Sequence, residues 1–139
     1  KRIIGDQNDN LWIATLNKGI NYFDKATNRF YPFIHHPQNP NSLSSNSIFS
    51  LLIDKENMLW IGTLRKGIDR YNPKKKRFSH YLNFKRKKVP VFCLYEDAFG
   101  ELWAGSNTLG VLKYNPQKDR FIPFNELNDQ HGLFRFKLI

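Results

Sequence analysis

Residues 85–88 read Lys-Arg-Lys-Lys, and Lys18, Arg65 and Lys66 add further cations outside any obvious core stretch. Side chains of this kind bind anions. Arginine grips a carboxylate or sulfate through two parallel N–H bonds, and lysine acts as a point charge. Over the whole chain 22 Lys and Arg stand against 12 Asp and Glu, a formal net charge of +10. That balance favours acidic partners: nucleic acid, anionic glycans or an acidic membrane surface. A solubilising surface charge is the competing reading.

Other chemistries find less in the sequence. The four histidines are His35, His36, His80 and His131, with only the first two adjacent, so no metal site and no cofactor are expected. The chain lacks Gly-x-Ser-x-Gly, His-Glu-x-x-His and a phosphate-cradling glycine loop. No catalytic residue is therefore expected, and a lyase or hydrolase reading has no motif behind it. Cys93 is the only cysteine, which rules out an internal disulfide. Within the apolar run 91–95 it reads as a small buried thiol.

What must position the cations is a repeat. Trp12, Trp60 and Trp103 are 48 and then 43 residues apart, a period in the range of four-stranded propeller blades. An Asp lies six residues before each Trp (Asp6, Asp54, Asp97), and a Gly lies seven after (Gly19, Gly67, Gly110). An aromatic follows at eleven (Phe23, Tyr71, Tyr114), Arg at seventeen (Arg29, Arg77, Arg120) and Phe at eighteen (Phe30, Phe78, Phe121). These read as scaffold. The Asp accepts backbone N–H groups in a turn, the Gly supplies a positive φ or close approach, and the aromatics form the core between blades. The repeated Arg is expected to make a structural contact over an aromatic or to a turn.

Each unit divides into four short antiparallel strands, termed a to d, at about 48–53, 58–63, 67–71 and 77–82 in the middle copy. The expected fold is all-β: a partial β-propeller of about three blades with an extra strand at the ends. Units run over about 1–46, 47–88 and 89–133, with 134–139 opening a next blade in one propeller fragment over 1–139. Linkers at 35–46, 83–88 and 125–132 absorb the length differences. An open arc leaves apolar blade faces exposed, so self-association or poor stability is expected. No apolar run approaches the roughly 20 residues that cross a bilayer, and residues 1–6 turn polar too soon for a secretory leader.

In an up-and-down blade, the b–c loops and the d–a linkers leave on one face. That face then collects Lys18, Arg65, Lys66, Lys85, Arg86, Lys87 and Lys88 together with His35 and His36, opposed only by Glu126 and Asp129. The short-turn face is mixed in sign. The nine basic residues are the candidate ligand site.

The pattern Asp-x5-Trp-[Ile/Ala]-[Gly/Ala]-[Thr/Ser]-x3-Gly-[Ile/Val]-x2-[Tyr/Phe], with a later Arg-Phe and the linker Asn39-Pro40-Asn41-Ser42-Leu43-Ser44-Ser45-Asn46-Ser47-Ile48, resembles the two-component regulator propeller repeat. The third copy departs most, with Trp103-Ala104 in place of Trp-Ile. The resemblance implies a segment of the periplasmic sensor region of a hybrid two-component histidine kinase, anchored in the inner membrane. It implies a glycan oligosaccharide as ligand, non-enzymatic in this segment, and further blades and downstream domains as partners. Nucleic acid is not expected. The alternative is a polyanion-binding or protein-interaction propeller with no signalling role.

Overall fold

The computed structural model describes residues 2–124, which form three four-stranded antiparallel sheets, each paired in chain order. Blade 1 holds β1 (Ile3–Gly5), β2 (Leu11–Ala14), β3 (Ile20–Asp24) and β4 (Arg29–Phe33). Blade 2 holds β5 (Ile48–Ile53), β6 (Leu59–Thr63), β7 (Ile68–Asn72) and β8 (Arg77–Tyr81). Blade 3 holds β9 (Val91–Glu96), β10 (Leu102–Ser106), β11 (Gly110–Asn115) and β12 (Arg120–Pro123). The linker expected at 125–132, with Glu126 and Asp129, His131 and the strand expected over 134–139 lie outside the described residues.

The repeated residues build the turns they were read into. Asp54 Oδ1 accepts the N–H groups of Glu56 and Met58, both at 2.9 Å, and its Oδ2 accepts the Trp60 indole N–H at 2.7 Å. Asp97 does the same for Phe99, Glu101 and Trp103, each at 2.9 Å. In blade 1 Asp6 caps Asn8 and Asn10, and its second oxygen accepts the Tyr22 hydroxyl at 3.1 Å. Burial, and then Asp6, push that phenol up to about 12. One carboxylate thus closes the a–b turn and ties it to an aromatic. The glycines have φ of 71°, 73° and 72° at Gly19, Gly67 and Gly110.

Two cores form, each between successive blades. Trp12 of blade 1 packs on Tyr71 of blade 2 at 5.7 Å between ring centroids. Trp60 of blade 2 packs on Tyr114 and Phe121 of blade 3, at 4.9 and 5.8 Å. The tryptophan of one repeat is therefore completed by the aromatics of the next. Where no further blade is described, the corresponding positions are open: Phe30, at the position of Phe78 and Phe121, is 61% exposed at one end, and Tyr95, at the position of Ile4 and Leu52, is 64% exposed at the other.

This arrangement corrects the reading of Cys93, which is exposed. It occupies the position of Ser50, which is 1% exposed, because blade 3 covers that face of blade 2 and no described blade covers the same face of blade 3. Of the two contacts expected of the repeated arginines, over an aromatic or to a turn, the structure places them at a turn. Arg29, Arg77 and Arg120 are exposed at the closing pairs of the c–d turns, opposite Asp24, Asn72 and Asn115. Among the described residues Arg2, Arg70 and Lys113 make the cation–aromatic contacts instead.

Candidate functional site

The loop that carries Arg65 and Lys66 is shaped by the last residue of the repeated Leu-Trp-Ile-Gly-Thr. Thr63 Oγ1 donates to the Gly67 carbonyl at 2.9 Å and accepts the Lys66 N–H at 2.9 Å. Thr15 holds Lys18 the same way in blade 1. A threonine hydroxyl, as donor and acceptor, fixes a four-residue loop whose cation faces water. Both lysines and Arg65 are exposed.

The linker returning to blade 3 docks on that loop. The Gly67 N–H reaches the Val89 carbonyl at 2.9 Å, and the Val89 N–H reaches the Arg65 carbonyl at 3.1 Å, an isolated parallel bridge of Lys66 with Val89. Val89 is fully buried while Lys85, Arg86, Lys87 and Lys88 are exposed. The bridge brings Arg65 and Lys66 beside Lys88 on one face. Among the described residues, the loops and linkers of this face (15–19, 34–47, 64–67, 82–90 and 107–109) contain no Asp or Glu.

The two histidines of the candidate set sit differently. His35 is half-buried, with Nδ1 on the Leu43 carbonyl at 2.5 Å and its N–H on Asn46 Oδ1 at 2.7 Å. His36 is exposed, and its N–H is held by Ser42 Oγ at 3.0 Å. Their linker leaves the basic face and runs down the outer edge of blade 2. Asn41 accepts the Phe78 N–H at 2.8 Å and donates to the Lys76 carbonyl at 3.1 Å, so its side-chain amide substitutes for a fifth strand along β8. His35 is thus held within its own linker, whose Asn46 carbonyl accepts the Gly19 N–H of the loop that carries Lys18, at 2.8 Å.

A buried ion pair fastens that linker. Asp69, fully buried, accepts the Ser44 N–H at 2.8 Å and faces His80 Nδ1 at 2.7 Å. His80 Nε2 faces the Pro40 carbonyl at 2.8 Å. Both ring nitrogens meet acceptors, which the doubly protonated ring alone can satisfy. The Asp69 hydrogen bond accordingly raises the His80 pKa above 6.5 despite burial. The sign follows: this contribution to stability is full below about pH 6.5 and is lost as pH rises through the folded-state value. The thermal midpoint is expected to fall from pH 5.5 to pH 8.5, and His80→Gln should flatten that dependence; an unchanged slope would refute the assignment. Sequence reasoning missed the pair, although both residues break the repeat. Asn21 and Leu112 occupy the position of Asp69, and Pro32 and Pro123 that of His80.

A cleft of about 910 Å³ opens on the opposite, short-turn side, between blades 2 and 3. It includes none of the nine candidate residues. Cations and carboxylates alternate in its lining: Lys55, Lys75 and Lys113, for example, stand with Glu56, Glu96 and Glu101. At the exposed mouth of the wedge Asp119 accepts the hydroxyls of Tyr81 at 2.8 Å and Tyr114 at 2.5 Å, with Arg70 at 3.5 Å. The Tyr114 hydroxyl, with Tyr81 and Arg70, holds this carboxyl below its ordinary range. The wedge thus joins the two blades through a polar network. Among the described residues no three His, Cys, Asp or Glu side chains gather to hold a metal.

Residues 42–65 and 87–108 match the family model of the two component regulator propeller. Both stretches run from the linker through strand b; the first reaches Thr63 and Arg65, and the second includes Val89. The fold is similar to the extracellular domain of the hybrid two component system BT4673 from B. thetaiotaomicron (TM-score 0.70, 24% identity), over 86% of this chain and 16% of that one. It is similar to the extracellular domain of BT3049 from the same organism (TM-score 0.60, 20% identity), over 86% of this chain and 22% of that one. Virginiamycin B lyase from Staphylococcus aureus shares the fold at TM-score 0.67 and 14% identity, over 86% of this chain and 39% of that one. The chain spans under a quarter of the length of the two sensor-system domains. No curated protein matches it.

Proposed function

We propose that this chain, a partial propeller built from two-component regulator propeller repeats, is a ligand-sensing segment of an extracytoplasmic sensor and takes acidic oligosaccharides on its long-linker face. The observation that carries the reading is the bridge of Lys66 with Val89, which unites the cations of one blade with those of the next linker. A carboxylated or sulfated sugar matches that face. Arg65 and Arg86 offer bidentate contacts, and the lysines neutralise charge. Of the nine candidate residues, Arg65, Lys66, Lys85, Arg86, Lys87 and Lys88 carry this role. The segment itself performs no chemistry. It works within a periplasmic region whose further blades and downstream kinase domains convert occupancy into a change of domain arrangement.

Calorimetry with trigalacturonate and cellotriose, at low and moderate salt, tests the proposal. Trigalacturonate should bind and weaken as salt rises. Replacing Lys66, Lys85 and Arg86 together by alanine should cost at least about tenfold in affinity, since charge-assisted bonds contribute about 1.5–3 kcal/mol each. Tighter binding of cellotriose, unaffected by the triple substitution, would sink the charge reading. Loss of trigalacturonate over long incubation would contradict the non-enzymatic role.

A further inference from the structure

The innermost strands of blades 2 and 3 are both irregular at the same place. Ile48 pairs with Thr63 and Ser50 with Gly62, which leaves Phe49 unpaired. Val91 pairs with Ser106 and Cys93 with Gly105, which leaves Phe92 unpaired. Each is the extra residue of a β-bulge, a device that re-aims one side chain out of the alternating pattern. The two re-aimed rings meet edge to face at 4.9 Å. Arg2 of blade 1 lies over Phe49 at 5.6 Å from the ring centroid. Three blades therefore contribute one residue each to a row where their first strands converge.

The row is not core. Phe49 stays only partly buried although blade 3 packs beside it, Arg2 is exposed, and Phe92, at the end where no further blade is described, is 44% exposed. Neither phenylalanine belongs to the two cores between blades. Apolar rings held open by bulges in two successive repeats do little for folding, since an ordinary alternating strand would direct them into an inter-blade face. The row also lies at the basic end of the blades. Ser47, two residues before Phe49, accepts the Leu64 N–H at 3.0 Å, beside Arg65. Phe92 follows Val89, the bridging residue, by three positions.

We infer that Phe49 and Phe92, presented by paired β-bulges beside Arg2 and the basic loops, form an aromatic platform for a sugar ring of an acidic oligosaccharide. The inference rests on the proposed function and assigns the two halves of recognition to different residues. The rings take the apolar face of a pyranose, and Arg2 and the loop cations take its acidic substituents.

The full chain with Phe92→Leu tests this, because leucine keeps apolar bulk and removes the flat ring. Phe49→Leu provides a second, independent variant, and Phe92→Trp restores a ring. Affinity for trigalacturonate is expected to fall at least about fivefold in either leucine variant and to recover in Phe92→Trp. The salt dependence of binding should stay unchanged in the leucine variants and shrink in Lys66→Ala. If Lys66→Ala weakens binding while both leucine variants, folded by circular dichroism, bind like the parent, the platform is overturned and the basic face stands. If trigalacturonate does not bind at all, both readings fall.

Discussion

Trp60→Ala is expected to lower the free energy of unfolding by about 3–5 kcal/mol, the range for removing a large aromatic from a packed core. Trp60 is 2% exposed, and its ring meets Tyr81, Tyr114 and Phe121 at 5.5, 4.9 and 5.8 Å. Its indole N–H is also the donor to Asp54 Oδ2, so truncation leaves that turn carboxylate short of one partner. Denaturant titration followed by far-UV circular dichroism measures the loss. Trp103→Ala makes the same chemical change at the same place in the repeat. It should cost only about 1–2 kcal/mol, because half-exposed apolar surface has less to lose. Trp103 touches Phe124 and Lys113, and no described blade closes over it. Equal losses at the two positions would contradict the packing scheme in which each tryptophan is completed by the following repeat.

Gly67→Ala should destabilise by about 3 kcal/mol or more, combining a left-handed backbone, which costs of order 1–3 kcal/mol for other residues, with a steric clash. Gly67 has φ of +73°, and a Cβ there would stand 2.2 Å from the Tyr81 carbonyl oxygen and 2.9 Å from the Leu82 backbone. Backbone on that side has no room to give, since Tyr81 is the end of β8 and is buried. The same residue donates to Val89, so the change also disturbs the bridge that joins the two halves of the basic face. Trigalacturonate binding should fall along with stability. Gly100→Ala is the control. Its φ is +76°, yet the nearest obstacle is the Lys55 Nζ at 2.4 Å, the tip of a flexible side chain. That substitution should cost about 1–2 kcal/mol, from the backbone alone. A Gly67→Ala loss no larger than that of Gly100→Ala would show that the β8 edge yields.

The scaffold was legible because it repeats. Asp54 with Trp60, and Asp97 with Trp103, keep one spacing since a turn carboxylate and an indole must meet across a hairpin of fixed length. Gly19, Gly67 and Gly110 keep theirs because the b–c loop needs a left-handed residue at one place. What departs from the repeat was harder to read. The buried pairing of Asp69 with His80 joins a strand-c residue to a strand-d neighbour and closes on a linker carbonyl forty positions before the histidine. Asn41 appeared as one polar residue in a polar linker, yet it completes the edge of β8. The basic face was legible as a grouping by topology; only the structure adds the backbone bridge that joins residues 65–66 to 88 and the hold of the Leu43 carbonyl on His35.

By itself the sequence determined the four-strand unit, its turns and the sign of charge on each loop, because these depend on residues close in the chain. Burial was decided only by the tertiary structure. Leu-Trp-Ile-Gly-Thr is buried at all five positions in β6, whereas the corresponding β2 and β10 alternate between buried and half-buried. A motif states which side chains can be covered; the neighbouring blade determines which of them are. The bulges at Phe49 and Phe92 belong to the same class. An apolar residue in an apolar strand carries no local mark of being turned out of the sheet, and pairing with the adjacent strand decides it.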